Sequence, residues 1–219
     1  MASAPSQKAM RPSPFFNMIP AGVSIDPLAL IAEYYPEGSA LFDLLLSHSQ
    51  DVTDWALCIA AHNPALPLDL PFIYEAAMLH DIGIFLTDAP SIHCHGSAPY
   101  IQHGILGAEM LRKHGLDRHA LVAERHTSSG LSREEIVAEG LPLPLDRTYM
   151  PESLEEKIIC LADCFFSKTR LGKKKSVESI REKMRKEWTK YQLAGPPLNL
   201  QRFNQLLELF TPKDKELFV

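Results

Sequence analysis

Apolar residues along the chain recur at steps of three and four, the spacing that lines one face of an α-helix. The segment from Ser39 to His62 shows this most fully, with Leu41, Leu44, Leu45, His48, Val52, Trp55 and Ile59 in register. A second helix is predicted over residues 70–82, where Ile73, Ala77 and His80 share a face and Gly83 supplies a natural stop. Shorter helices follow from His103 to His114, closed by Gly115, and from Asp117 to about Thr127. Ser153-Leu154-Glu155-Glu156 has the form of a capping box, so a further helix should run from Leu154 to about Lys168. Two more, near 176–190 and 199–210, complete the pattern. Alternating, strand-like stretches are nearly absent, and the expected class is all-α, a helical bundle. Two proline-containing loops interrupt it, at 88–100 and 140–151.

The 219 residues, 46% of them hydrophobic, suffice to bury one substantial core. One domain is therefore expected over 26–219, its core at about 40–170 and its C-terminal helices at 171–219. Residues 1–25 mix Ser, Pro and Ala with Lys8 and Arg11, and they lack an apolar h-region. They read as a flexible arm, not as a secretory signal. No apolar run approaches the ~20 residues of a membrane span, so no membrane partner is expected. Cys58, Cys94, Cys160 and Cys164 are scattered, three of them within apolar helical stretches, which suits buried free thiols in a cytoplasmic protein. Cys160 and Cys164 share a helix face, but two ligands do not make a zinc site and there is no second pair.

The net charge of −5 conceals an asymmetry: between Ser167 and Lys190 there are ten Lys or Arg against three Glu. Such a run is either a solvated helix face or a phosphate-attracting rim beside a site. The run lacks interleaved aromatics and the protein is acidic overall, so nucleic acid is not an expected partner.

His80 and Asp81 form the most informative dipeptide, because two metal-ligand side chains stand together at the end of an apolar run. A buried, unpaired carboxylate is costly, and a cation would supply its partner. The helices around it each offer another such group. His48 sits among Leu41, Leu44, Leu45, Val52 and Trp55; His103 opens its helix; His126 follows Val122 and Ala123 at helical spacing; Asp163 stands alone among Ile158, Ile159, Leu161, Phe165 and Phe166. One inward histidine is more often a hydrogen-bonded core residue than a ligand. Four helices each presenting a His or Asp of this kind, beside His80-Asp81, are harder to explain structurally. The remaining histidines fit loops and helix ends.

The order His48, His80-Asp81, Asp163 resembles the HD-domain metal-dependent phosphohydrolase superfamily, and the fuller order with His103 and His126 resembles its HDIG branch. The likeness extends to Leu79-His80-Asp81-Ile82-Gly83, His103-Gly104-Ile105-Leu106-Gly107-Ala108-Glu109, Glu124-Arg125-His126 and Leu154-Glu155-Glu156-Lys157-Ile158 running into Leu161-Ala162-Asp163, over roughly residues 40–170. It implies an HD-domain bundle with a central metal site. In that site His48, His80, Asp81 and Asp163 would hold one ion, and Asp81 would bridge to a second held by His103 and His126. The superfamily uses Fe, Mn, Zn, Ni, Co or Mg. Four imidazoles against two carboxylates favour a divalent transition metal, one ion or two.

The implied activity is hydrolysis of a nucleotide or other small phosphate ester, with Asp81 positioning a metal-activated hydroxide. Lys168 is the best candidate to contact a substrate phosphate, with Arg170 and then Arg125 behind it, and the loop 88–100 is placed to lie over the site. The alternative is a di-iron HD-domain oxygenase that cleaves a C–C or C–P bond with the same ligands. Two departures narrow the hydrolase branch. Ile84 stands where cyclic-dinucleotide phosphodiesterases of the HD-GYP type carry lysine, and Thr127 follows His126 where they carry a second histidine. The segment 132–152 is also longer than in the dinucleoside-tetraphosphate hydrolases that share the Leu-Glu-Lys-Ile helix. A homo-oligomer is compatible with all of this.

Overall fold

The computed structural model describes residues 19–190, 197–211 and 217–218. Much of the expected arm, residues 1–18, lies outside the described residues; of its remainder, Ser24 and Ile25 are tied to the body through Glu75. Among the described residues the elements are α1 (Pro27–Ala32), α2 (Ala40–Ala61), α3 (Leu70–Leu79), α4 (His103–Lys113), α5 (Asp117–Arg125), α6 (Arg133–Ala138), α7 (Leu154–Cys164), α8 (Val177–Lys190) and α9 (Leu198–Phe210). The fold is helical as expected, with two short helices, α1 and α6, that the apolar spacing does not announce.

Side chains set most of the helix starts. Asp26 accepts from the Leu28 and Ala29 amides, Ser39 from Phe42 and Asp69 from Phe72, each such cap contributing about 1 kcal/mol. At α7 only half of the expected capping box forms. Ser153 accepts from the Glu156 amide, but the Glu156 carboxylate binds the Glu152 amide and Arg125 instead of the Ser153 amide. The reciprocal box occurs at α6, between Ser132 and Glu135. Helix α7 ends at Cys164 rather than near Lys168, and the chain turns back there, with the Lys175 amide donating to the Phe165 carbonyl.

The loop at 88–100 contains the one sheet among the described residues. Strands β1 (Thr87–Ala89), β2 (Cys94–His95) and β3 (Ala98–Pro99) lie in the order β2-β1-β3, with β1 antiparallel to β2 and parallel to β3. Strands of two or three residues are too short to show an alternation in sequence.

Two apolar clusters hold the helices. One gathers Val52, Ile59, Ile73, Ala77, Ile158, Phe165, Ile180, Phe203 and Phe210, from α2, α3, α7, α8 and α9. The other gathers Ile31, Tyr35, Leu45, Leu79, Ile82, Ile84, Leu111 and Ala123. Helix α2 passes from one to the other, since Leu45 belongs to the second and Val52 to the first.

Glycines set how closely the central elements approach. Gly83 has φ −88°, a conformation open to any residue, so it is not a left-handed helix stop. Its constraint is steric. A Cβ at Gly83 would lie 2.3 Å from the Gly107 amide nitrogen and 2.4 Å from the His103 carbonyl, and one at Gly104 would lie 2.5 Å from the Ala123 carbonyl. The missing side chains let the turn after α3, α4 and α5 touch backbone to backbone.

A buried pair fastens the opposite side. Glu75 on α3 accepts from His119 Nε2 at 2.9 Å on α5, from the Ser24 hydroxyl at 3.0 Å, and from the Ser24 and Ile25 amides. Burial pushes the His119 pKa below the ordinary 6.5, against the opposing pull of Glu75. The unfolded chain therefore binds a proton that the folded chain resists, and stability falls as pH drops below about 6.5.

Two outcomes follow. Gly83→Ala should cost about 3 kcal/mol in chemical denaturation, because backbone rather than a movable side chain stands in the way. Thermal unfolding at pH 7.5 and pH 5.5 should show an acid-induced loss of Tm that is smaller in His119→Gln than in the parent; equal losses would detach His119 from the effect.

Candidate metal centre

Five elements bring six side chains to one point. His48 lies near the middle of α2; His80 and Asp81 occupy the turn that closes α3; His103 is the first residue of α4; His126 caps α5; Asp163 lies in the last turn of α7. All except Asp163, which is 17% exposed, are almost fully buried.

Asp81 is the hub. Its Oδ2 lies 2.9 Å from His80 Nε2 and 3.2 Å from His48 Nε2, while its Oδ1 lies 3.4 Å from His103 Nε2 and 3.5 Å from His126 Nε2. Asp163 Oδ1 joins the first group, 3.0 Å from His48 Nε2 and 3.8 Å from His80 Nε2. Two overlapping triads, His48–His80–Asp163 and His80–Asp81–His126, each have their donor atoms within 4.8 Å of one another and could hold a metal ion.

The backbone fixes the direction of the imidazoles. His80 Nδ1 donates to the Ala77 carbonyl at 2.6 Å, His103 Nδ1 to Tyr100 at 2.6 Å and His126 Nδ1 to Ala123 at 2.8 Å. A carbonyl only accepts, so each ring carries its proton on Nδ1 and leaves the Nε2 lone pair facing the cluster. This arrangement tests the fit of a metal. His103 Nε2 and His126 Nε2 face each other at 3.0 Å, two lone pairs with no proton between them in the neutral rings. The buried His48 Nε2, His80 Nε2 and Asp81 Oδ1 likewise have no hydrogen-bond partner. A cation at the centre satisfies all of them, and four imidazoles with two carboxylates suit a divalent transition ion.

The electrostatics agree. Burial drives the His103 pKa down to about 3, against the attraction of Asp81, so the ring stays neutral and available. For Asp81 burial pushes upward but is outweighed by His80 and Lys168, and its carboxyl is held well below the usual range. Asp163 is held low as well, burial being outweighed by His48 and Lys168.

Lys168 arrives from the turn after α7 and sets its Nζ 2.5 Å from Asp81 Oδ2. Burial lowers its pKa, but Asp81, Tyr100 and Asp163 more than reverse this and keep the ammonium charged. The other cations singled out in the sequence lie elsewhere. Arg125 is engaged by Glu152 at 2.8 Å and Glu156 at 3.0 Å, which fastens α5 to the start of α7, and Arg170 is exposed. Neither lines the cleft that opens on the cluster.

That cleft has a volume of about 530 Å³. His48, His103, His126 and Asp163 stand at its base; the 88–100 segment contributes Ala89, Ser91, Ile92 and Tyr100 to its wall. Two tyrosines that sequence reasoning passes over support the site. Tyr100 stacks on His103, with centroids 4.7 Å apart and planes 18° from parallel. Tyr35 donates its hydroxyl to the Ile82 carbonyl at 2.7 Å and so braces the turn that carries His80 and Asp81. Nothing in the periodicity marks either one. Cys160 and Cys164 are buried and free, and both thiols donate to the Ser128 carbonyl, at 3.3 and 3.0 Å.

The HD domain family model matches residues 45–166. The chain belongs to the HD-domain family. The matched span of the HD domain includes all six clustered residues. An uncharacterized protein of Methanocaldococcus jannaschii is 39% identical over 122 residues, which make up 54% of this chain and 64% of that protein. Two relatives named tRNA (cytidine(56)-2′-O)-methyltransferase are also similar: that of Picrophilus torridus is 35% identical, over 59% of this chain and 33% of its own length, and that of Thermoplasma volcanium is 33% identical, over 64% and 37%. The chain thus spans a third to under two thirds of the length of these curated relatives. No solved structure matches. Among the described residues, no helix of the HD-domain protein is long and apolar enough to cross a membrane.

If Lys168 supplies the positive charge that Asp81 requires when no metal is bound, Lys168→Ala should destabilise chelator-treated protein by about 3 kcal/mol. Added Mn²⁺ should restore most of the lost Tm, since the ion takes over the same role; thermal unfolding with and without the ion reads both effects.

Proposed function

We propose that this HD-domain protein is a metal-dependent phosphohydrolase acting on a nucleotide or other small phosphate ester. The observation that carries this is the set of unsatisfied Nε2 lone pairs and Asp81 oxygens converging at the base of a cleft beside a charged lysine. His48, His80, Asp81 and Asp163 would hold one ion, and Asp81, His103 and His126 a second. A bound divalent ion supplies Lewis acidity, lowering the pKa of a water and neutralising charge on a phosphoryl group.

The chain's own residues do the rest. Asp81 turns one oxygen towards each half of the cluster, so a single carboxylate sets the position of both halves. The backbone carbonyls of Ala77, Tyr100 and Ala123 hold three rings in one tautomer, so no reorganisation is required when charge develops. The Lys168 ammonium, at the edge of the cluster and lining the cleft, is placed to pair with a non-bridging phosphate oxygen. Residues of the 88–100 segment and the turn at Thr127 and Ser128 line the cleft around the place of the ester. Converging imidazoles and carboxylates suit metal-assisted hydrolysis better than methyl transfer, the activity named for two relatives of whose length the chain spans about a third.

The test combines metal analysis of protein purified without added ions with a screen of phosphate esters and nucleotides. The parent should bind transition metal and hydrolyse at least one ester, and Asp81→Ala should lose both the metal and about a thousandfold in rate. Hydrolysis that survives Asp81→Ala overturns the mechanism. Oxygen consumption by iron-loaded protein on addition of a substrate would instead favour C–C or C–P bond cleavage.

A further inference from the structure

Three lysines line the cleft along with residues of the 88–100 segment. Lys168 stands at the cluster, Lys175 lies on the stretch before α8, and Lys183 lies two turns into α8. Their positions are built, not incidental. Lys175 is half-buried, and its amide is pinned to the Phe165 carbonyl at 2.8 Å, which holds its stretch of chain against the end of α7. Helix α8 in turn is seated by the buried Val177, Ile180 and Met184 on the apolar core, so Lys183 faces the cleft from a fixed helix.

Counter-charge is scarce on this wall. No carboxylate among the described residues pairs with Lys175, and burial together with the charges of Lys183 and Lys168 lowers its pKa against the pull of Asp163. The Asp163 carboxylate belongs to the cluster, its Oδ1 lying 3.0 Å from His48 Nε2. Lys183 has a loose partner in Glu187 at 3.5 Å, the carboxylate that lines the cleft besides Asp163. Holding the half-buried Lys175 ammonium near two other positive charges is unfavourable unless a ligand completes the charge. Since Lys168 serves the cluster end, the charge of Lys175 and Lys183 is free to act on a different part of the ligand.

We propose that Lys175 and Lys183 form a second anion subsite, so that the cleft takes a substrate with two separated phosphate groups, one at the His/Asp cluster and the other on this wall. The inference deepens the phosphohydrolase reading and rests on it for the role of the first group. A volume of about 530 Å³ accommodates a molecule of nucleoside bisphosphate size. The subsite lies beyond residues 45–166, on chain that the family match does not cover, so it makes α8 a determinant of specificity rather than a solvated face.

Calorimetric titration of the intact protein with adenosine 3′,5′-bisphosphate and with AMP tests this, because the two differ by one phosphate. The bisphosphate should bind about tenfold more tightly, and the Lys175→Ala/Lys183→Ala variant should bring the two affinities together. The single variant Lys183→Ala, at a side chain that is 66% exposed, should narrow the gap without endangering the fold. Equal affinities in the parent, a gap that persists in the double variant, or no binding of either nucleotide overturns the subsite. Binding is read here, not turnover. A protein that prefers the bisphosphate but cleaves no ester would keep the subsite and lose the hydrolase reading; one that cleaves p-nitrophenyl phosphate but binds both nucleotides equally would do the reverse.

Discussion

The arrangement turns on a carboxylate with no access to water. Asp81 is fully buried, and its charge is met by the Lys168 ammonium, while four imidazole Nε2 atoms converge beside it as the donor set that a cation would complete. The surroundings reflect that cost: rings oriented by backbone carbonyls, a lysine drawn in from the turn after α7, and a second carboxylate 3.0 Å from His48 Nε2. Taking such a charge out of water strengthens the local field, which is the condition for holding a divalent cation tightly.

The scaffold meets this demand by close backbone contact. Gly83 and Gly107 face each other, and Gly104 sits under the Ala123 carbonyl, so the turn after α3 and the helices α4 and α5 approach more closely than side chains would permit. His80, Asp81, His103 and His126 all start from this contact. His48 reaches it from α2 where that helix crosses between the two apolar clusters, and Asp163 from the end of α7. Ion pairs hold the frame around it: Glu124 binds Arg112 and Arg147, and Arg125, a substrate-contact candidate in the sequence, binds Glu152 and Glu156.

Much of this was legible in the chain. The long helices declare themselves because their apolar faces repeat, and the six clustered residues because each interrupts such a face with a metal-binding group. What stayed hidden has no periodic signature. The three short strands at 87–99 depend on contacts between non-neighbouring residues, and α1 and α6 are each too short for a repeat to establish itself. Glu75 and His119 are 44 positions apart, and only the fold shows that they form one buried pair. Gly83 was visible, but its reason was not: the sequence suggests backbone freedom, whereas the structure shows a need for empty space. Glu156 illustrates the same limit, since a local capping pattern lost its partner to Arg125, 31 residues away.

Tyr100 has a consequence of its own. Its ring lies flat on His103, and its carbonyl receives the proton of the same imidazole, so the rim of the cleft and one nitrogen of the cluster are geared together. A molecule that displaced this rim on entering would disturb the ring stack and the imidazole's hydrogen bond together. Shape at the mouth would thereby be felt as angle at the centre, in the direction of the His103 Nε2 lone pair as well as in the guest's own contacts.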